Sequence, residues 1–277
     1  MKKSEPAEGR GTSSKLAGVV VVVYGLVCLL PLLWMIASSF KTSIDINDPS
    51  KALVFTPTLE NYVKVLAQEN FLFFMFNSAV VALVSTGLAL LVGVPAAYAI
   101  ARFKMRHTSS LILFSRVVPH ITLLVPWYYI FAKLGLVGTY PSLILSHMFI
   151  AVPLVVWIMI GIFEVIPVEL EEAAQVDGLT PIRAFLKVIL PLGMPGIATA
   201  SVLSLIFSWN NFVFALVLSG METRTLPVAI FNFVGYASID WGALMAACVT
   251  ITLPMLVLAM VGNRYVVAGL TAGAVKG

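Results

Sequence analysis

The sequence predicts an all-α polytopic membrane protein with six transmembrane helices and a helical cytoplasmic loop between the fourth and fifth. Three observations carry this. Of 277 residues, 60% are hydrophobic and only 11% charged, with a mean hydropathy of +1.01; soluble domains hold about 45–50% apolar and about 25% charged residues. The apolar residues gather in blocks of about 20, long enough to cross a hydrocarbon core of about 30 Å. The basic residues favour alternate gaps between those blocks. The same composition excludes disordered, collagenous and disulfide-scaffold chains. A formal charge of +4 is too small and too scattered for nucleic-acid binding. Cys28 and Cys248 lie inside apolar blocks and read as packing residues, not as a disulfide or metal site.

The expected spans are 18–39, 74–100, 110–132, 141–163, 194–218 and 243–263. Helices are required because backbone amides in lipid must pair within their own segment. The first span follows Lys2, Lys3, Arg10 and Lys15, as a signal peptide would, but its apolar run is too long for one and is expected to stay uncleaved. With the N-terminus inside, the cytoplasmic segments hold Lys2, Lys3, Arg10, Lys15, Arg102, Lys104, Arg106, Arg183, Lys187, Arg264 and Lys276. The outer segments hold only Lys41, Lys51, Lys64, Lys133 and Arg224. Both termini are therefore expected in the cytoplasm. The chain divides into an N-terminal segment 1–17, a membrane domain 18–266 that includes the loop 164–196, and a tail 267–277.

Two outer loops are long. Within 40–73, Pro57 and Thr58 signal a helix start, and Leu59, Tyr62, Val63 and Leu66 share one face at helical spacing. That stretch reads as a helix lying on the membrane surface. The second loop, 219–242, carries Glu222, Arg224, Asp240 and Trp241.

The loop 164–196 is the most heavily punctuated. Pro167 stands as a first helical residue, Glu169, Glu171 and Glu172 fill the first turns, and Gly178 supplies a stop. Thr180 can cap a second helix with Pro181 in its first position. Ile182, Phe185, Leu186 and Ile189 form an apolar face there, and Pro191 ends it. The loop thus reads as two short helices joined at a glycine. Ala173 and Ala174 give the first a low profile, and Asp177 lies at its end. A plain connector under the bilayer fits the same pattern.

The motif separates these readings. Glu172-Ala173-Ala174, three residues, Gly178, nine residues and Val188-Ile189-Leu190-Pro191 resemble the E-A-A-x3-G-x9-I-x-L-P signature of ABC importer permeases, with Val188 the one departure. Pro119 to Tyr140, Trp209-Asn210-Asn211-Phe212 and the tail from Val267 are also similar to the six-helix, maltose-transporter-type carbohydrate permeases of bacterial inner membranes. The resemblance implies an ATPase-coupling role for Glu171, Glu172, Ala173, Ala174, Asp177, Gly178 and Pro191. It also implies an ATPase contact for Thr271 to Gly277, and a binding-protein contact in 221–240, with Glu222, Arg224 and Asp240 as candidates. The implied partners are a second similar permease, a dimeric ATPase that holds ATP and Mg, a periplasmic or lipid-anchored solute-binding protein, lipid, and a sugar, sugar derivative or polyol. No cofactor or metal is expected in this chain.

Polar residues inside spans are costly and face a bundle interior or a wet cavity. Arg116, His120, Leu123 and Trp127 follow one helical stripe in a helix interrupted by Pro119 and Pro126; Ser201, Ser204, Ser208 and Asn211 form another leading to Trp209; Asn77, Ser78 and Ser85 lie on the second span. Arg116, His120, Trp127, Ser204, Ser208, Trp209 and Asn211 are candidates for a substrate path, with Trp127 and Trp209 as faces for a sugar. Small-residue helix packing is the alternative for the serines, and a tie to carbonyls the alternative for Arg116. An ion-coupled transporter needs intramembrane carboxylates, and the six spans hold none. A channel needs a filter or charged ring, and neither is visible. His107, His120 and His147 lack catalytic neighbours, and no G-x4-G-K-[ST] phosphate loop is present. Energy must come from another chain.

Overall fold

The computed structural model describes residues 10–68, 70–235 and 239–272. Lys2, Lys3, Lys276 and the tail beyond Ala272 lie outside the described residues. Four helices are each long and apolar enough to span a bilayer, and two bent helix pairs would bring the number to six if each pair counts as one span.

The chain separates into two compact units. The first contains α1 (Arg10–Ser39) and α2 (Glu60–Gln68), with the segment Asn232–Thr250. Its apolar helix α1 is almost wholly exposed along Val19–Leu33, as lipid-facing or subunit-facing surface would be. The loop after it is organised by Lys41, which is 2% exposed. Its ammonium donates to the Ala52 carbonyl at 2.7 Å and lies over the Trp34 and Phe55 rings, so carbonyl and π-faces replace its water. Asn61 on α2 donates to the Ser39 and Lys41 carbonyls, both at 2.8 Å. Thr58 accepts from the Glu60 amide at 3.2 Å, the start the sequence signals. On α2, Asn61 and Val65 are buried within the unit, whereas Val63 and Leu66, with Leu59 just before the helix, point out. A polar anchor, Asn61, sets the rotation.

The second unit is built on α3 (Phe71–Arg102) and α6 (Tyr140–Val165), its most extensive helix pair, with α9 (Met194–Trp209) packed on both. Small residues allow this. A Cβ on Gly93 would lie 2.8 Å from Val155 Cγ1, and one on Gly196 2.6 Å from Ile162 Cγ1, so helix backbones meet where lipid offers no hydrophobic drive. Ala89, Ala97, Val155, Met159 and Phe163 form the core at one end, and Val81, Phe131, Leu143, Phe214 and Leu218 at the other. Pro95 and Pro153 lie within α3 and α6 without ending them.

Two expected spans are corrected. The third is not one rod: α4 (Arg106–Ser115) and α5 (His120–Lys133) meet at 86°. Pro119, extended at φ −60° and ψ 122°, removes a backbone donor where the helix would have to continue. The fifth span stops at Trp209, short of 218. Asn211 there accepts from the Phe214 amide at 3.2 Å, starting a separate α10 (Val213–Leu218). At 16 residues, α9 covers about 24 Å, less than a hydrocarbon core of about 30 Å. It meets α8 (Pro181–Leu192) at 72° across Gly193. The last helix, α11 (Trp241–Ala272), is continuous through Pro254.

Candidate coupling site and translocation path

Helix α7 (Glu169–Val176) begins two residues later than expected, with Val168 rather than Pro167 at its boundary. Its end is as the sequence reads. Gly178 has φ +92°; its amide bonds to the Gln175 carbonyl and that of Leu179 to Ala174, each at 3.0 Å, the paired closure that a left-handed glycine completes. Thr180 accepts from the Arg183 amide and opens α8.

The residues grouped for ATPase coupling separate onto two faces. Glu171 and Ala174 are buried, whereas Glu172, Ala173, Val176 and Asp177 are exposed, Val176 at 88%. Glu171 accepts a short hydrogen bond from the Tyr98 hydroxyl and an ion pair at 3.1 Å from Arg102 Nε. Arg102 Nη1 donates to the Ile166 carbonyl at 3.0 Å. Glu171 therefore fastens α7 to the end of α3, and Glu172 is left on the presented surface. The expected apolar face of α8 is also rotated: Ala184, Phe185 and Ile189 pack inward, while Ile182 and Leu186 are exposed. A wide π-turn over Phe185–Ile189 shifts the register and admits Pro191 inside the helix, which runs on to Leu192. Pro191 does not end it.

The intramembrane candidates do not form one stripe. Arg116 closes α4 with its guanidinium 4.7 Å from the Trp157 ring centre. His120 opens α5 and meets Phe207 edge-on. Arg116 and His120 border one cavity of about 110 Å³ with Phe149, Pro153 and Phe207. That is below the about 300 Å³ at which ligand pockets begin. Trp127 stacks on Phe131 and meets Phe149 edge-on.

On α9, Trp209 is buried and donates from Nε1 to the Ile251 carbonyl at 3.2 Å; it holds two helices together. Ser208 joins Ser85 Oγ at 3.1 Å and His147 Nδ1 at 2.7 Å, tying α9 to α3 and α6. Spacing does not reveal that His147 belongs with them, since Ser208 lies 61 residues away. Ser204 is buried with no hydrogen-bond partner for its hydroxyl among the described residues.

At the other end, Asn77 is a hub. Its Nδ2 donates to the Glu222 and Arg224 carbonyls at 3.1 and 2.9 Å, and its Oδ1 accepts from the Tyr140 hydroxyl at 2.6 Å. Ser78 accepts from the Leu226 amide at 2.8 Å. Asn77 and Ser78 therefore hold the long loop. The loop tip presents Met221 and Glu222. Asp240, in the first unit, pairs with Lys64 and caps the Ala243 amide. Burial pushes its carboxyl up, but the Lys64 and Ala243 hydrogen bonds and the Lys64 charge hold it below the usual range. Among the described residues no cluster of three or more His, Cys, Asp or Glu could hold a metal ion.

The family model of the binding-protein-dependent transport system inner membrane component matches residues 89–271. This chain belongs to that family. The permease is 38% identical, over 97% of its length and 98% of the relative's, to the trehalose transport system permease protein SugB of Mycobacterium tuberculosis. It is 37% identical, over 95% and 93%, to the sulfoquinovosyl glycerol transport system permease protein SmoH of Agrobacterium fabrum. Its fold matches a chain of a bacterial ABC transporter that imports alginate, with a TM-score of 0.80 at 20% identity, covering 95% of this chain and 99% of that one. The permease is a transport subunit, not an enzyme, and ATP hydrolysis belongs to a separate subunit of such importers.

Proposed function

We propose that the permease carries a small carbohydrate or sugar derivative across the inner membrane, delivered by an external binding protein, with both termini in the cytoplasm. The relatives named for trehalose and sulfoquinovosyl glycerol transport support the substrate class. The two bent helix pairs serve as the third and fifth of six spans. A second permease completes the path, which accounts for the small cavity beside Arg116 and His120.

The observation that carries the coupling reading is the split of neighbouring carboxylates on α7: Glu171 bound inward to Tyr98 and Arg102, Glu172 exposed beside Ala173. An ATPase dimer would seat on Glu172, Ala173, Val176 and Asp177, and its closure would be passed through Glu171 to α3. From α3 the Ser85–Ser208–His147 seam carries it to α9 and α6. ATP and Mg stay with the ATPase. On the outer side, the binding protein would meet the tip at Met221 and Glu222.

A photo-crosslinker at Val176 in the assembled transporter tests this. The expected product joins the permease to the ATPase, with a yield that changes on nucleotide addition. Products with lipid alone would overturn the reading.

A further inference from the structure

A cleft of about 890 Å³ opens among the ends of α3, α4 and α6 and the segment leading into α7. Ile100, Met105, Ile160 and Ile166 give it an apolar floor. Its polar groups divide by origin. Lys104 and Arg106, with Ser109 and Ser110, come from the α3–α4 turn and the first turns of α4; Glu164 and Glu169 come from the end of α6 and the start of α7. All four charged side chains are exposed, and among the described residues no ion pair joins them. Arg102 also borders the cleft; its charge is met by Glu171, but its Nη2 is buried without a hydrogen-bond partner among the described residues.

Two open cations on one side and two open carboxylates on the other give no net charge. A purely anionic ligand would gain from one wall and be repelled by the other. A zwitterion of phosphate and primary ammonium satisfies both, and the apolar floor suits the chains that such a headgroup carries. Basic pockets between spanning helices at the cytoplasmic surface are known lipid headgroup sites. We infer that this cleft holds a phosphatidylethanolamine-type lipid. Its phosphate lies on Lys104, Arg106 and the serine hydroxyls, and its ammonium on Glu164 and Glu169. The inference rests on the proposed orientation, which places this end at the cytoplasmic membrane surface. There the lipid would sit beside Ile166–Glu169, the lead-in to the coupling helix.

The test is native mass spectrometry of the transporter complex after exchange with vesicles of equal phosphatidylethanolamine, phosphatidylglycerol and phosphatidylcholine. Retention is read without nucleotide, so a failure of ATPase coupling leaves this result untouched. The expected result is preferential retention of phosphatidylethanolamine by the wild type, because the trimethylated ammonium of phosphatidylcholine cannot donate to the carboxylates. Lys104→Ala with Arg106→Ala should lower retention by about fivefold for each cation removed. Glu164→Gln with Glu169→Gln, both at exposed positions, should turn the preference to phosphatidylglycerol. Equal retention of the three lipids by the wild type, a wild-type preference for phosphatidylglycerol, or an unchanged preference in both double variants would overturn the proposal.

Discussion

Tyr98 on α3 and Glu171 on α7 are joined by a hydrogen bond from the phenol to the carboxylate, and Arg102, one turn beyond Tyr98, grips the other carboxylate oxygen. The two α3 residues hold one acidic side chain between them, while its neighbour Glu172 stays exposed. Fastening and presentation are thus assigned to adjacent positions of one short helix.

Glu171→Ala leaves the Arg102 guanidinium largely buried without its carboxylate. The side chains are only 13% and 11% exposed, so the loss should be about 3 kcal/mol. Thermal unfolding in detergent measures it, and substrate-stimulated ATPase activity should fall with it.

Glu172→Lys should leave the melting temperature unchanged and abolish uptake, because the side chain touches nothing within the subunit that folding needs. Gly178→Pro should abolish uptake by another route. Proline holds φ near −65°, and the turn needs +92°. Membrane insertion, followed by proteolysis, should persist in both; wild-type uptake by either would remove α7 from coupling.

Ser208→Ala and Ser204→Ala sit one helical turn apart and should differ in sign. The first removes the partner of His147 and Ser85 and should cost about 1–3 kcal/mol. The second deletes a buried hydroxyl that makes no bond and should be neutral or stabilising. Melting temperatures of the two variants, measured side by side, decide it.

The Asp240 carboxyl titrates below its unfolded value, which is about 3.9. Its stabilising effect on the Lys64 contact is therefore complete above that value and lost as the pH falls through the lower, folded one. Asp240→Asn should flatten the acid limb of stability below the unfolded value of about 3.9, read as the melting temperature against pH.

The apolar helices and the Gly178 closure were legible because each rests on local chemistry: apolar length, and a glycine where φ turns positive. The same local reasoning failed where contacts are distant. The break expected at Pro119 is there, but its 86° bend, which separates Arg116 from the helix that carries Trp127, is not readable from spacing. Tryptophan at 209 suggested a sugar face, but its indole is committed to the Ile251 carbonyl. Spacing does not show that the bonds of Asn77 and Ser78 run to a loop almost 150 positions later. Nor does spacing show that a π-turn rotates the apolar face of α8.

The contact of Gly93 with Val155 has a mechanical corollary. Where two rods mesh with no spare methyl between them, neither can slide or roll without a collision, so they must travel as one piece. Whatever pivoting this permease performs is left to the joints that are already angled: Gly193, and the turn between Ser115 and His120.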